Sequence, residues 1–360
     1  MAITATVLNN IRATYPSRLD VYENRITSTG ALTAVEEMNN SSNSIITQEI
    51  KKLAENSQGR QIEVPVMIDG DVTLSNTRTC VVGGVENDSA LVNVTWQTVV
   101  LDITMTPGQY PINSIQYNQD LAMKIRRGVN AINRQLESNV MTAMDNAKSQ
   151  VYNAASLVAA TGAKYGLTGS AIRVASAQQE LFFNDVDAIQ LKDDLEADTY
   201  KVIASAEMMP TIRLWANQGA ANQNNRSFQF EDGRAYSTGN YDFSFSNGVN
   251  NGTGVRSTAY LVPDGAVGFM TRLDFDAKNK SKATKGTEWS VERLPGLSFP
   301  VGLKYDSDCA DQSTIAGAST GHLTATLQEK WQFSFDYAIL TPYNSDITTR
   351  PNPIRKIEFL

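Results

Sequence analysis

The segment with the residue types and spacing of a catalytic nucleophile is Gly317-Ala318-Ser319-Thr320-Gly321, which fits the pattern G-x-S-x-G. In enzymes with this pattern the serine follows a buried strand, and an acid and a histidine placed later in the chain activate it. Here the preceding residues are polar, and the chain's single histidine, His322, lies three residues after the serine. A loop of small residues is therefore favoured over a hydrolase site.

Two further patterns could bind a metal ion or a nucleotide, and neither is complete. Asp306 and Asp308 resemble the start of a calcium-binding loop, but Asp311 stands where that loop needs glycine and Gly317 where it needs glutamate. A single histidine excludes a metal site built from several histidines. We found neither the glycine-rich phosphate-binding loop nor the dinucleotide-binding fingerprint. We therefore expect neither an enzyme nor a bound cofactor.

The net charge of -7 argues against a dedicated nucleic-acid-binding protein, which usually has a basic balance. Only local basic patches remain, such as the run Lys278, Lys280, Lys282 and Lys285. A solvated loop is favoured for this run, and contact with an acidic neighbour or with packaged nucleic acid is the alternative.

The sequence also bears on compartment. The N-terminus lacks the charged segment and apolar run of a signal peptide, and no stretch approaches the roughly 20 apolar residues of a membrane helix. Cys80 and Cys309 lie far apart without a metal-binding spacing, so two free thiols are favoured over a disulfide. We expect a soluble protein made in the cytoplasm.

The element expected to organise the chain is a long amphipathic helix from residue 118 to about residue 148. Asn118 is placed to cap its first turn, and Asp120 and Lys124 form a favourable pair four residues apart. Gly128 costs about 1 kcal/mol relative to alanine, so either the helix bends there or a neighbour packs against its backbone. The apolar residues recur every three or four positions and form one stripe: Leu121, Ile125, Val129, Ile132, Leu136, Val140 and Met144.

Such a helix would be roughly 45 Å long, which is more than a compact domain needs. It is either a domain's central core element or the backbone of a flat, extended subunit.

The N-terminal region before this helix is weakly organised. A helix is expected over 44–56, capped by Ser44, with Ile46, Ile50 and Leu53 on one face. The rest of 1–58 is interpreted as disordered, or as an arm that becomes ordered against neighbouring subunits.

Two long strands are expected between this region and the helix. The first alternates through Ile62, Val64 and Val66, and Asp69-Gly70 predicts a tight turn after it. The second covers 91–105 and changes face near residues 97 and 98, which predicts a bulge or a twist. Two strands of this kind bury too little surface to be stable alone, so they need a partner surface in the same chain or in another.

After the long helix the sequence predicts a mixed body of helices and strands. Helices are expected over 178–195 and 207–217, with Pro210 in the first turn of the second. Exposed loops are expected over 219–254, with short strands around Phe228 and Phe243. Strands are expected at 200–204, 259–262, 267–270, 289–291 and 331–339. The fold class is α+β, without the alternation of strands and helices that builds a parallel sheet.

The order of these elements resembles that of the major capsid protein of tailed bacteriophages. An arm, a long two-stranded loop, a spine helix and a mixed domain closed by a late strand follow one another. The most specific similarities are 107–118 (PGQYPINSIQYN), which leads from the loop into the spine, and 259–268 (AYLVPDGAVG), which is similar to a strand and turn of the family's axial domain. The resemblance covers nearly the whole chain and implies a Hong Kong 97-like fold.

The resemblance implies a structural function. Copies would assemble as pentamers and hexamers into an icosahedral head, in the virion, around double-stranded DNA that they contact without sequence specificity. Assembly would take place in the host cytoplasm with scaffolding, portal and decoration proteins, and without a membrane. The implied segments are an N-terminal arm (1–58), an extended β-hairpin loop (59–114), the spine helix and first part of the peripheral domain (115–205), the axial domain (206–322), and the closing strand and C-terminus of the peripheral domain (323–360).

Some members of this family crosslink neighbouring subunits through a lysine on the extended loop. This sequence has no lysine between Lys52 and Lys124. We therefore expect no covalent bonds between subunits through that loop. A denaturing gel of mature particles tests this, because crosslinked subunits would form a ladder of oligomers.

The residues expected to contact other subunits are charged or aromatic side chains on the loop and the spine: Arg60, Glu63, Trp96, Arg126, Arg127 and Arg134. A solvated surface is the alternative for each charge. Two other functions remain open. An encapsulin-type shell shares the fold but encloses enzymes, and a tail or fibre component would suit the loops rich in asparagine and glycine. Particle contents and particle shape would separate these three functions.

Overall fold

A computed structural model describes the following residues: 29–56, 59, 61–68, 88–107, 114–149, 164–192, 199–212, 229–231, 235–238, 241–273, 287–311, 325–343 and 352–360. Several sequence predictions fall on residues outside these ranges: Arg60, the Asp69-Gly70 turn, Cys80, Phe228, the lysines of 278–285, and the Ser319 motif with His322. The fold is α+β, which confirms the predicted class.

The helices and strands have the following bounds. The helices are α1 (Gly30–Met38), α2 (Gln48–Asn56), α3 (Ser114–Ala147) and α4 (Gln179–Lys192). The strands are β1 (Gln61–Ile68), β2 (Asp88–Thr95), β3 (Gln97–Met105), β4 (Gly166–Thr168), β5 (Ala171–Val174), β6 (Tyr200–Ser205), β7 (Gln229–Glu231), β8 (Ala235–Thr238), β9 (Tyr241–Ser246), β10 (Ser257–Pro263), β11 (Gly268–Arg272), β12 (Thr287–Glu292), β13 (Val301–Asp311), β14 (Ala325–Leu340) and β15 (Arg355–Phe359).

The described residues fall into two compact units. The first contains those of 96–138 and 271–337, and the second those of 30–95, 139–270 and 338–360. These units do not follow the segments implied by the resemblance. Strands β10 and β13 both belong to the expected axial domain, but β10 pairs with β6 and β15, whereas β13 pairs with β12 and β14. The peripheral and axial domains therefore stay a prediction.

The second unit is built on a sheet with the strand order β4-β5-β15-β10-β6-β9-β8-β7. Helix α4 covers it, and Phe182 of this helix packs edge-on against Tyr165 and Phe359, with ring centroids 5.2 and 5.7 Å apart. The expected helix at 178–195 and strand at 200–204 are confirmed. The short strand predicted around Phe243 is confirmed as β9, which pairs in parallel with β6. Phe243 itself is fully buried there, so this part of the region is not an exposed loop.

The first unit contains β14, which pairs with β13 and with β3. The alternating aromatic residues of β14 are all buried, as the sequence predicts: Trp331, Phe333, Phe335 and Tyr337. The predicted change of face near residue 97 is confirmed, because the long strand divides there. β2 ends at Thr95 and pairs with β1, while β3 begins at Gln97 and pairs with β14.

Helix α3 confirms the predicted spine, with 34 residues. Every residue of the apolar stripe is buried, with at most 4% of its surface exposed. Asp120 and Lys124 form the predicted pair at 3.1 Å. The helix begins at Ser114, so Asn118 lies inside it and does not cap it. The hydroxyl of Tyr117 donates a hydrogen bond to the carboxylate of Glu329 in β14, which fixes this additional first turn.

Gly128 is explained by close packing. A Cβ atom added at this residue would lie 2.2 Å from Cδ2 of Leu101 in β3. The glycine therefore lets β3 approach the helix backbone, which is the second of the two alternatives drawn from the sequence.

Replacing Gly128 with alanine is expected to lower the free energy of unfolding by about 1–3 kcal/mol, because the new methyl group overpacks the contact with Leu101. On an exposed helix the same change would stabilise by about 1 kcal/mol. The double variant Gly128→Ala, Leu101→Ala should lose less than the sum of the two single losses. Urea unfolding followed by circular dichroism measures all three, and strict additivity would contradict the explanation.

Residues 30–56 are folded within the second unit. For 30–43 this excludes disorder, one of the two alternatives that the sequence left open, and the helix predicted over 44–56 is confirmed as α2. Helix α1 was not predicted, although it buries Ala31, Leu32, Ala34, Val35 and Met38. Helix α2 begins later than expected. Its cap is Thr47, whose hydroxyl accepts a hydrogen bond from the Ile50 amide at 3.3 Å. Leu53, placed on the buried face by the sequence, is 43% exposed.

The segment between α1 and α2, residues 39–46, lies across the turn from β10 to β11, and we call it the strap. The Asn39 amide group donates to the Phe269 carbonyl at 2.7 Å and accepts from the Phe269 N–H at 3.0 Å. The Ile45 N–H donates to the Gly265 carbonyl at 2.8 Å. A Cβ atom at Gly265 would meet the Asn43 carbonyl oxygen at 2.3 Å. The strap is therefore held by the side chain of Asn39 and the backbone of Ile45. It lies so close to Gly265 that no side chain fits at that residue.

Candidate assembly surfaces

Strands β1 and β2 form an antiparallel ribbon, in which Gln61 lies opposite Thr95 and Pro65 opposite Leu91. No third strand pairs with the ribbon within the described residues. Because side chains alternate along a strand, the ribbon has two different faces.

The inner face of the ribbon is covered by the same chain. Ile62, Val64 and Val94 are 5%, 8% and 8% exposed, and α2 contacts β1 on the side where Ile50 and Ala54 are also buried. The sequence left open whether the partner surface is in the same chain or in another. At the base of the ribbon it is in the same chain, because α2 supplies apolar cover immediately before β1.

The outer face is exposed and partly apolar. Leu91 is 65% exposed, and Pro65, directly opposite, is exposed as well. Glu63, a predicted contact residue, is exposed on the same face beside them. Burying a leucine side chain stabilises by about 1.5–3 kcal/mol. The Pro65–Leu91 pair therefore offers an apolar contact that the described part of the chain leaves unused.

Trp96 occupies a different position from the one expected of a contact residue. Its ring is 4% exposed and lies under the guanidinium of Arg272, 4.5 Å from the ring centroid. Arg272 also binds the Asp336 carboxylate at 3.0 Å, and Thr98 donates to the same carboxylate at 2.7 Å. Trp96 therefore anchors the start of β3 within the chain, and this placement gives no support for a contact with another subunit.

The three predicted arginines on the spine are accessible to different degrees. Arg127 and Arg134 are exposed, whereas Arg126 is half-buried. Arg60 lies outside the described residues. The assignment of Arg60, Glu63 and the three arginines to contacts between subunits stays a prediction.

Sequence reasoning missed a cluster that ties α3 to the sheet of the first unit. The Glu329 carboxylate accepts the hydrogen bond from Tyr117, and Tyr305 packs edge-on against Trp331 at 4.8 Å. Burial and the negative charge of Glu329 raise the pKa of Tyr305 to about 12. Burial and the hydrogen bond to Glu329 likewise raise the pKa of Tyr117 above its usual value. Both hydroxyls therefore stay protonated, and able to donate, at alkaline pH where an unperturbed tyrosine with a pKa of about 10 would ionise.

A second cluster, in the second unit, holds the C-terminal end of α3. The Asp145 carboxylate accepts a hydrogen bond from the Tyr260 hydroxyl at 2.6 Å and pairs with Lys148 at 2.9 Å and Lys356 at 3.4 Å. Burial alone would raise the pKa of Asp145. The hydrogen bonds from Tyr260 and Lys148 and the two lysine charges outweigh burial and lower that pKa.

Replacing Asp145 with asparagine is expected to lower the free energy of unfolding by about 1 kcal/mol at pH 7, a modest loss because the carboxylate is 41% exposed. A lowered pKa in the folded state gives stability that is present above the unfolded pKa of about 4 and is lost as pH falls through the folded value. The difference between the variant and the unchanged protein should therefore shrink from pH 7 towards pH 3. Thermal unfolding across this range measures it, with Asp264→Asn as the control for removal of one charge.

The described residues contain no group of three or more histidine, cysteine, aspartate or glutamate side chains that could hold a metal ion. Asp306 and Asp308 belong to β13, so the calcium-loop pattern falls on a strand. Among the described helices, none combines the length and apolar character needed to cross a membrane.

Comparisons with known proteins give matches at the level of structure. The sequence matches no protein-family model, and no curated protein matches it. The capsid of Ralstonia phage GP4 is 14% identical with a TM-score of 0.46, covering 95% of this chain and 93% of that chain. The capsid of cyanophage Pam1 is 10% identical with a TM-score of 0.46, covering 84% and 86%. A structure from Microbacterium phage Oxtober96 is 10% identical with a TM-score of 0.47, covering 96% and 94%. These three solved structures, each matched along most of its length, come from phages, and two of the three are capsids.

Proposed function

We propose that this chain is a structural protein, the major capsid protein of a tailed bacteriophage with a Hong Kong 97-like fold. Copies of it form a closed icosahedral shell of pentamers and hexamers around double-stranded DNA. The observation that carries the proposal is the outer face of the ribbon, where the exposed pair Pro65 and Leu91 stands on a two-stranded element without a third strand in the described part of the chain.

The energetics of this face suit a shell. A contact built on one leucine and one proline is worth only a few kcal/mol, and a net charge of -7 on each copy opposes association. Single contacts are therefore weak and reversible. A closed shell repeats the same contact on every subunit, so many weak contacts sum to a stable particle while wrongly placed subunits can still dissociate.

The remaining parts of the proposal concern organisation and partners. The chain divides into the arm, extended loop, spine with peripheral domain, axial domain and closing strand at the boundaries given above. Arg60 and Glu63 on the loop contact the neighbouring subunit. Scaffolding, portal and decoration proteins take part in assembly in the host cytoplasm, and the product is the virion, in which the chain touches DNA without reading its sequence.

Electron microscopy of the purified, concentrated protein tests the proposal, with its nucleic-acid and protein content measured in parallel. Closed shells of uniform size are expected, and particles from infected cells should contain long double-stranded DNA. Shells filled with enzymes would favour the encapsulin-type compartment, and rods or fibres would favour a tail component. A protein that stays monomeric at high concentration, with and without its scaffolding protein, would refute all three functions.

A further inference from the structure

Helix α3 presents one basic face to solvent within the first unit. Five exposed residues recur along this face at intervals of one to four positions, and we call them the basic stripe: Arg127, Ala131, Arg134, Gln135 and Ser138. The stripe lies opposite the buried residues Val129, Ile132 and Leu136. The helix is thus anchored on one side and open on the other.

The two arginines of the stripe have no partner within the described residues, neither an ion pair nor a hydrogen bond. Lys124, one turn earlier, shows the contrast, because it pairs with Asp120 at 3.1 Å. The stripe contains no acidic residue, although the whole chain has 38 acidic residues against 31 basic ones. Two positive charges without a partner therefore lie on one face of the helix, and a partner of negative charge is their complement.

The composition of the stripe favours phosphate over protein as that partner. Protein–protein interfaces are enriched in aromatic residues, methionine and arginine. The stripe has two arginines but no aromatic residue and no methionine, and its largest apolar residue is Ala131. A phosphate backbone needs only cationic and hydrogen-bonding side chains. Arg127 and Arg134 lie seven residues apart, roughly 10 Å along the helix axis. That distance is about the axial rise of three nucleotides along one DNA strand.

We infer that the basic stripe binds the phosphate backbone of double-stranded DNA without reading its sequence, with Arg127 and Arg134 each neutralising one phosphate. The inference rests on the proposed function and deepens it, because it names the residues through which a shell subunit touches the enclosed nucleic acid. For these two arginines it replaces the contact with another subunit that the sequence analysis expected.

The test measures binding of a short labelled DNA duplex of mixed sequence by fluorescence anisotropy over a series of salt concentrations. The logarithm of the binding constant falls with the logarithm of salt concentration by about 0.9 per neutralised phosphate. The variant Arg127→Gln, Arg134→Gln should therefore show a slope shallower by about 1.8, and weaker binding at low salt. The variant Arg127→Lys, Arg134→Lys should keep the slope, because lysine supplies the same charge.

The matched control is Lys51→Gln, Lys52→Gln, which removes two exposed positive charges from α2. It should leave the slope unchanged. An equal fall in slope for both glutamine variants would overturn the inference, since net charge alone would then explain binding. An unchanged slope in the variant Arg127→Gln, Arg134→Gln would also overturn the inference. This includes the case in which that variant fails to form shells, because the arginines would then contact another copy. If electron microscopy shows that the unchanged protein forms no shells, that result refutes the proposed function and not the assignment of the basic stripe.

Discussion

Replacing Leu91 with aspartate is expected to leave the subunit folded and to stop it from forming shells at concentrations where the unchanged protein assembles. Leu91 is already 65% exposed, so the fold loses little apolar burial. Removing one leucine contact per subunit withdraws about 1.5–3 kcal/mol. Because about 1.4 kcal/mol corresponds to a factor of ten in a binding constant, the concentration needed for assembly should rise roughly ten- to a hundredfold. The introduced charge adds repulsion to this loss.

Sedimentation velocity over a concentration series measures the effect, and circular dichroism checks the fold of the variant. Leu191→Asp is the matched control, because Leu191 is 70% exposed on α4 and lies outside the ribbon. Leu91→Met should assemble nearly as well as the unchanged protein, since methionine keeps the apolar contact. Normal assembly of Leu91→Asp, or equal loss in the Leu191 control, would show that the outer face of the ribbon is not the contact.

Replacing Gly265 with alanine is expected to destabilise the second unit by about 3 kcal/mol or more. Two causes add. Gly265 has a φ of +82°, where a side chain costs about 1–2 kcal/mol. The new Cβ would also lie 2.3 Å from the backbone oxygen of Asn43, and a backbone atom of the strap cannot move aside as a side chain can. The Ile45 N–H would then lose its hydrogen bond to the Gly265 carbonyl.

Gly254→Ala is the control that separates the two causes. Gly254 has a φ of +76°, but nothing lies within 4 Å of the position that a Cβ atom would take there, so only the backbone strain should be measured. Urea unfolding gives both losses, and limited proteolysis within 39–46 reports release of the strap. Equal losses in the two variants would contradict the tight contact between strap and turn. A larger loss in Gly265→Ala, with faster cleavage of the strap, supports it.

Local patterns in the sequence were sufficient to predict the helices and strands whose apolar residues recur with a clear period. The spine helix followed from apolar residues at every third or fourth position, and β14 followed from the alternation of Trp331, Phe333, Phe335 and Tyr337. The change of face near residue 97 followed from a change of parity, although the sequence predicted a bulge or a twist there and not a division into two strands. In each case neighbouring residues already contain the information, because a helix or a strand imposes its own geometry on which side chains share a face.

Elements whose signal in the sequence is short or weak were not predicted. Strands β5, β13 and β15 were not predicted, and neither was α1, a helix of only nine residues. Gly128 indicated that some group packs closely against the helix, but the sequence did not identify that group. It is Leu101, which lies on a separate element, the strand β3. The packing of Trp96 under Arg272 could not be predicted for a similar reason, since Arg272 lies far away in the chain.

Three properties follow from the amino-acid order alone: the position of the long elements with a strong period, the face of each that must be buried, and the lack of a complete catalytic or metal-binding pattern in the sequence. Which surfaces stay open depends instead on the folded chain, namely the outer face of the ribbon with Leu91 and the basic stripe with Arg127 and Arg134. Exposure depends on what covers a residue, and the cover comes from elsewhere in the chain. Helix α2 contacts the strand in which Ile62 and Val64 are buried, and Arg272 lies over Trp96. Nothing in the local period of the chain specifies either contact.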